Sequence, residues 1–217
     1  MTPDAIIFDM DGVLVDSEPV HFEALQVLLR DHGVVYTPLE DEDFHGCTDR
    51  DVFRELRRRY GLVPHEHDLA ERWIEEVVSL LPGRIVPMPG VPGVLEQLRA
   101  SGVRLALASS SSPPIIEATI TGLDLGAVFE TTVSGREVQR GKPAPDIFLE
   151  AAARLKVPAG DCLVVEDSPN GLRAALAAGM RCVVVPCTAT AGSDFPGATA
   201  RLDTLLELPR WIGELGM

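Results

Sequence analysis

Five short runs set the terms for this chain: Ala5–Phe8, Arg104–Ala108, the weaker Thr131–Val133, Cys162–Val165 and Cys182–Val185. Each is apolar or β-branched, too short for a helix and bounded by polar or turn residues, as buried strands are. Helical patterns at Val91–Ser101, Pro113–Thr121, Asp146–Lys156 and Pro169–Ala178 precede the last four in turn. Strands joined by helices of this length form βαβ units, whose crossovers build a parallel sheet covered on both faces. The expected fold class is α/β, with a Rossmann-like doubly wound parallel sheet as its core.

The first run stands apart from the others. After it, Ser17 can cap a helix that reaches about His32, with Pro19 in its first turn and Gly33 at its stop. Thr48-Asp49-Arg50-Asp51 reads as a capping-box variant opening a second helix, with Val52, Phe53, Leu56 and Tyr60 on one face. Leu69, Trp73, Ile74, Val77, Val78 and Leu81 give a third amphipathic helix. The breaker cluster Pro87-Met88-Pro89-Gly90 ends this helical stretch. The expected organisation is a core domain of residues 1–16 and 87–217, with an all-helical cap domain, 17–86, inserted after the first strand. A length of 217 residues suits one domain carrying an insert.

Charge excludes whole classes of partner. The chain carries 33 acidic against 19 basic residues, a net charge of −14. That is the reverse of a nucleic-acid footprint, and an anionic membrane would repel it. No apolar stretch approaches the ~20 residues of a spanning helix, and Asp4 and Asp9 flank the first apolar run in a way no signal peptide does. Cys47, Cys162, Cys182 and Cys187 form no CxxC pair, so buried free thiols in a cytoplasmic protein are expected.

Ligands of open parallel sheets bind beyond the carboxyl ends of the strands. There the first run delivers Asp9-Met10-Asp11-Gly12, the second Ser109-Ser110, and the fourth Glu166-Asp167-Ser168. The third leads through a loop to Gly141-Lys142-Pro143. Any one of these is ordinary: a DxD in a loop, serines before a helix, an acidic strand end. Their ordered recurrence at four strand ends is not. Lys142 is moreover one of only two lysines beside 17 arginines.

Physics narrows the chemistry. A like-charged pair ~4 Å apart costs ~4 kcal/mol at an effective dielectric near 20, so converging carboxylates need a cation or raised pKa values. Hard oxygen donors without His or Cys favour Mg²⁺. An ionised aspartate can attack phosphorus, with Mg²⁺ and a lysine offsetting the repulsion of the phosphate dianion. A second carboxylate can protonate the leaving oxygen and then take a proton from water. Asp9 and Asp11 fit these two roles.

These motifs resemble the haloacid dehalogenase superfamily, across essentially the whole chain: Asp9-Met10-Asp11-Gly12-Val13, Ser109, Lys142 within Lys142-Pro143-Ala144-Pro145-Asp146, and Glu166-Asp167-Ser168. The resemblance implies Asp9 as nucleophile, Asp11 as general acid/base, and Ser109, with Ser110 beside it, and Lys142 as phosphate ligands. It implies Mg²⁺ held by Asp9, Asp167, the main-chain carbonyl of Asp11 and Glu166 in or near the shell. Asp16-Ser17-Glu18 with His21-Phe22 is similar to the branch of β-phosphoglucomutases and small-sugar phosphatases. In those mutases an arginine directly follows the Ser/Thr of the cap loop; here Thr48 is followed by Asp49, and Arg50 comes one position late. The expected activity is therefore hydrolysis of a small phosphorylated metabolite, a sugar phosphate first, with a phosphosugar mutase as the alternative. An inactive binding module is the remote one. His21, Thr48 and Arg50 are candidate substrate contacts, while Arg54, Arg57, Arg58 and Arg59 read as a solvated helix face.

Overall fold

Alternating side chains along short strands divide the core into two layers. A computed structural model describes residues 2–37, 44 and 49–215. Among them run β1 (Ala5–Phe8), α1 (Glu18–Arg30), α2 (Asp49–Tyr60), α3 (Glu66–Leu80), α4 (Val91–Ala100), β2 (Arg104–Ser109) and α5 (Pro113–Gly122). Then follow β3 (Thr131–Ser134), α6 (Asp146–Leu155), β4 (Cys162–Glu166), α7 (Pro169–Ala177), β5 (Arg181–Val184), β6 (Ala200–Arg201) and α8 (Leu208–Leu215). The strands form one sheet in the order β3-β2-β1-β4-β5-β6, and every neighbouring pair is parallel. This is the doubly wound sheet expected from the βαβ rhythm.

β1 is buried along its whole length because strands pair with both its edges. Ile6 registers with Leu105 and Leu163, and Phe8 with Leu107 and Val165. These large side chains share one hydrophobic cluster, whereas Ala5, Ile7, Ala106, Ala108 and Val164 belong to another with Phe148 and Leu155 of α6. A period of two sends successive residues to opposite faces. The alanines of β1 and β2 leave room for α6, which packs across β1, β2 and β3.

The helices α1–α3 follow β1 before the chain returns to the sheet, and the two connecting strands of chain lie side by side. Asp16 N–H donates to Val86 O (3.2 Å), Met88 N–H donates to Leu14 O (2.9 Å), and Val15 and Pro87 form an antiparallel bridge. α3 packs on both α1 and α2 and touches α5 of the core. Phe53, Leu56, Leu69, Ile74 and Val77 are buried there, as their spacing predicts.

Two expectations need correction. Ser17 precedes α1 without a side-chain capping bond, because its hydroxyl is taken by Asp11. The chain after β5 also adds β6 and α8, which the strand-and-helix reading did not include. A two-residue strand carries no periodicity, while the helical spacing of Leu208, Trp211, Ile212 and Leu215 was available. The capping box at Thr48 lies outside the described residues, although α2 begins at Asp49.

Leu107, fully buried between β1 and β3, tests the packing of the sheet. Leu107→Ala is expected to cost ~2–5 kcal/mol, the range for a buried leucine truncation that leaves a cavity, measured by urea denaturation.

Candidate active site

The strand order reverses direction between β1 and β4, the place where a doubly wound sheet opens a crevice. β1 delivers Asp9 to that crevice and β4 delivers Glu166 and Asp167. The Lys142 ammonium, almost wholly buried, joins the two strands: it donates to Asp9 Oδ1 (2.5 Å), Glu166 Oε1 (2.7 Å) and the carbonyl of Ala108 at the end of β2 (3.3 Å). Lys142 reaches this point from the loop before α6, whose Phe148 ring lies 5.0 Å below the ammonium.

The second oxygen of Glu166 accepts the backbone N–H groups of Asp167 and Ser168 and the Ser168 hydroxyl, at 2.9–3.0 Å. Glu166 is thereby fixed at both oxygens. Asp167 Oδ2 accepts from Cys187 Sγ at 3.1 Å and from the Thr190 hydroxyl at 3.3 Å. One oxygen from each of Asp9, Glu166 and Asp167 falls within 4.8 Å of the others, close enough to share a cation.

Asp11 is placed differently. Its Oδ1 accepts the Ser17 hydroxyl and its Oδ2 accepts the hydroxyls of Ser111 (2.9 Å) and Ser109 (3.3 Å). Its side chain thus stands among hydroxyls rather than with the other three carboxylates, and lines the same cavity. Ser109 is fully buried, with its oxygen also accepting Ser111 N–H (3.0 Å). Ser110 and Ser111, not Ser109, line the cavity.

That cavity, about 100 Å³, lies between the sheet end and the helices α1–α3. Its floor is Asp9, Asp11, Lys142, Asp167 and Ser168; Leu25, Phe53 and Trp73 come from the helices. His21 lines it from α1, its ring edge-on to Trp73 (5.3 Å) and its carbonyl accepting Trp73 Nε1–H (3.2 Å). Arg50 is exposed and lies outside the cavity, in a neighbouring groove; Thr48 lies outside the described residues. Arg54, Arg57, Arg58 and Arg59 pair at the surface with Asp51, Glu66 and Glu55.

Crowding shows in the protonation of these groups. Burial, helped by the charges of Glu166, Asp11 and Asp167, holds the Asp9 carboxyl well above the usual carboxylate range despite Lys142. Burial and then Glu166 push Asp167 up to about 7. Burial alone would lower Lys142, but Asp9 and Glu166 outweigh it and keep the ammonium charged. One lysine does not neutralise the acids around it, and their donors are hard oxygens. The residues therefore fit a small divalent cation such as Mg²⁺.

Two glycines make this density possible. A Cβ on Gly171 would sit 1.7 Å from Glu166 Oε1, and one on Gly12 would sit 2.4 Å from Asp167 Oδ2. Gly12 also has φ +78°, a left-handed conformation other residues rarely take. Reading strand ends located Asp9, Asp11, Lys142, Glu166 and Asp167. It missed the partners that fix them: Ser17, Ser111, Cys187, Thr190 and these glycines. Of these, Ser111 in the run Ser109–Ser112, Gly12 after Asp11 and Ser17, read as a helix cap and within Asp16-Ser17-Glu18, carried a local signal.

Comparison with known proteins adds an independent line. The family model described as haloacid dehalogenase-like hydrolase matches residues 6–185. The chain is 34% identical to the phosphorylated carbohydrates phosphatase of Thermotoga maritima, covering 82% of each chain. It is 33% identical to hexitol phosphatase B of Escherichia coli O157:H7, covering 94% of this chain and 93% of that one. A crystal structure of a CbbY mutant from Rhodobacter sphaeroides in complex with xylulose-1,5-bisphosphate superposes with a TM-score of 0.89 at 30% identity, over 95% of this chain and 96% of that one. No described helix is long and apolar enough to cross a membrane.

Two measurements test the electrostatics. Asp9 and Asp167 bind protons in the folded protein at pH values where the unfolded carboxyls, near pKa 4, have lost them, so this contribution to stability falls as pH rises from about 4 through about 7. Without divalent cations the thermal midpoint should drop between pH 5 and 8, more steeply than in Asp167→Asn, and Mg²⁺ should restore more at pH 8 than at pH 5. Gly171→Ala should lower stability by ~1–3 kcal/mol, the cost of overpacking, and weaken the Mg²⁺-induced rise in midpoint.

Proposed function

Because this chain belongs to the haloacid dehalogenase-like hydrolase family and is a phosphatase of that superfamily, we propose that it hydrolyses the monoester of a small phosphorylated sugar or related metabolite with Mg²⁺, through an aspartyl-phosphate on Asp9. The observation that carries the reading is Asp9 itself. It stands at the end of the central strand, bonded to a buried lysine and roofed by helices, with a second carboxylate two residues on.

In the first half-reaction an Asp9 oxygen attacks phosphorus and the bond from phosphorus to the ester oxygen breaks. The Asp11 carboxyl donates its proton to the departing alkoxide, held for that transfer by Ser17 and Ser111. In the second, Asp11 takes a proton from water, the water oxygen attacks phosphorus, and the bond to Asp9 breaks to release inorganic phosphate. Lys142 and Ser110 neutralise and orient the phosphoryl oxygens. When bound by Asp9 and Asp167, with Glu166 in or near the shell and the Asp11 carbonyl as a further donor, Mg²⁺ supplies positive charge for the phosphoryl group. The walls from α1–α3 exclude bulk water from the intermediate.

The phosphatase names of the sugar- and hexitol-acting relatives support this substrate class. Asp49 stands where β-phosphoglucomutases carry an arginine directly after the Ser/Thr of the cap loop, which favours hydrolysis over the mutase reaction. The free thiols of Cys162, Cys182 and Cys187 suit a reducing compartment, and we place the enzyme in the cytoplasm.

The test is inorganic phosphate release with and without Mg²⁺ across a panel of sugar and polyol phosphates. It includes β-glucose 1-phosphate, with glucose 6-phosphate followed in the same samples. Mg²⁺-dependent release from one or more members is expected; conversion to glucose 6-phosphate with little free phosphate would establish the mutase instead. Asp9→Asn should abolish turnover, and Lys142→Ala should slow it ~10²-fold or more, the scale of losing one preorganised charge stabiliser.

A further inference from the structure

At the start of α2, Asp49 borders both the cavity and the neighbouring groove although only 5% of the residue is exposed. Arg136, from the loop after β3, holds it across the boundary between sheet and helices. Both Nε (2.9 Å) and Nη2 (2.7 Å) reach Asp49 Oδ2, and Nη1 reaches Glu71 Oε1 on α3 (2.5 Å). A carboxylate oxygen has two lone pairs. Oδ2 is filled by Arg136, whereas Oδ1 accepts only Arg50 N–H (2.8 Å) among the bonds described and retains one acceptor position.

The charges around this carboxylate are one-sided. Lys142 is the sole lysine or arginine among the described residues of the cavity wall, and Asp9 and Glu166 already share it. Arg136 does not line the cavity, and it divides its one charge between two carboxylates. Leu25, Val52, Phe53 and Trp73 supply apolar wall, and Glu18 and His21 of α1 are the other titratable residues on the helical side.

We infer that Asp49, positioned by Arg136, sets the charge class of the substrate: it accepts a hydroxyl from the part of the molecule remote from the reacting phosphate and repels a second phosphate or carboxylate there. The substrate is then the monophosphate of an uncharged polyhydroxy compound, unlike the bisphosphate bound in the CbbY structure. This deepens the phosphatase reading and rests on it.

The test compares kcat/KM for matched pairs, glucose 6-phosphate with glucose 1,6-bisphosphate and fructose 6-phosphate with fructose 1,6-bisphosphate, in three proteins. The native enzyme should prefer the monophosphates by ~10-fold or more, the scale of a like-charge repulsion across a few ångströms in a partly screened site. Asp49→Asn should reduce that preference ~10-fold, chiefly by lowering KM for the bisphosphates. Asp49→Glu, which keeps a carboxylate at the position, should retain the preference; loss of structure alone would not separate it from Asp49→Asn. Calorimetric affinities of Asp9→Asn and Asp9→Asn/Asp49→Asn for the same compounds read the discrimination without turnover. Turnover with an unchanged ratio in Asp49→Asn, or a native preference for bisphosphates, overturns the inference and leaves the phosphatase reading standing. Absence of turnover with a shifted affinity ratio overturns the phosphatase reading alone.

Discussion

The Lys142 ammonium sits where three strands end, against Asp9 of β1, Glu166 of β4 and the carbonyl of Ala108 on β2. A buried charge is costly unless paired and hydrogen-bonded, and here each partner needs the other two. Without the lysine, Asp9 and Glu166 would face one another unscreened; without the carboxylates, the ammonium would be stranded in the core. The rest of the site is arranged around that constraint. Glu166 is pinned by the first N–H groups before α7, Gly171 gives up its Cβ to admit the carboxylate, and Phe148 closes the space beneath the ammonium.

A cluster held in this way is still short of positive charge. Lys142 is outnumbered, and the elevated protonation of Asp9 and Asp167 registers the deficit. The cavity is consequently asymmetric. Its floor gathers hard carboxylate oxygens around one shared lysine, whereas the helical wall combines aromatic and aliphatic surface with Glu18, His21 and Asp49, whose guanidinium partner stands outside. On the reading proposed above, chemistry and selection of the substrate fall to different elements. The sheet end supplies the first, and α1, α2 and α3 supply the second.

Much of the sheet was legible because its signals are local. Ala5-Ile6-Ile7-Phe8 is a short continuous apolar run, partly β-branched, that ends at Asp9, with Asp11 two residues on. A residue that ends a strand of a parallel sheet has its position set by the fold, so Asp9, Glu166 and Asp167 could be placed together from spacing alone. What escaped were pairings over long separations and competition between local uses. Ser17 looks like a helix cap, yet an aspartate six residues earlier takes its hydroxyl. Arg136 and Asp49 are 87 positions apart, and nothing in either neighbourhood announces the other. Cys187 and Thr190 reach Asp167 from a loop without a periodic pattern. β6, two residues long, was too short to register.

The paired connectors at Leu14–Asp16 and Val86–Met88 have a consequence for how such a molecule can change. Their hydrogen bonds bring the departure and return points of the inserted helices side by side, so the sheet sees them as a loop of almost no span. Closing such a loop costs little more when it is longer, since the entropic penalty grows only with the logarithm of its length. Helices of another length or shape can therefore be exchanged at this junction while Asp9, Lys142 and Asp167 stay in place. The seam at these paired connectors is therefore the place where the chain tolerates change in its helices with least disturbance to the sheet.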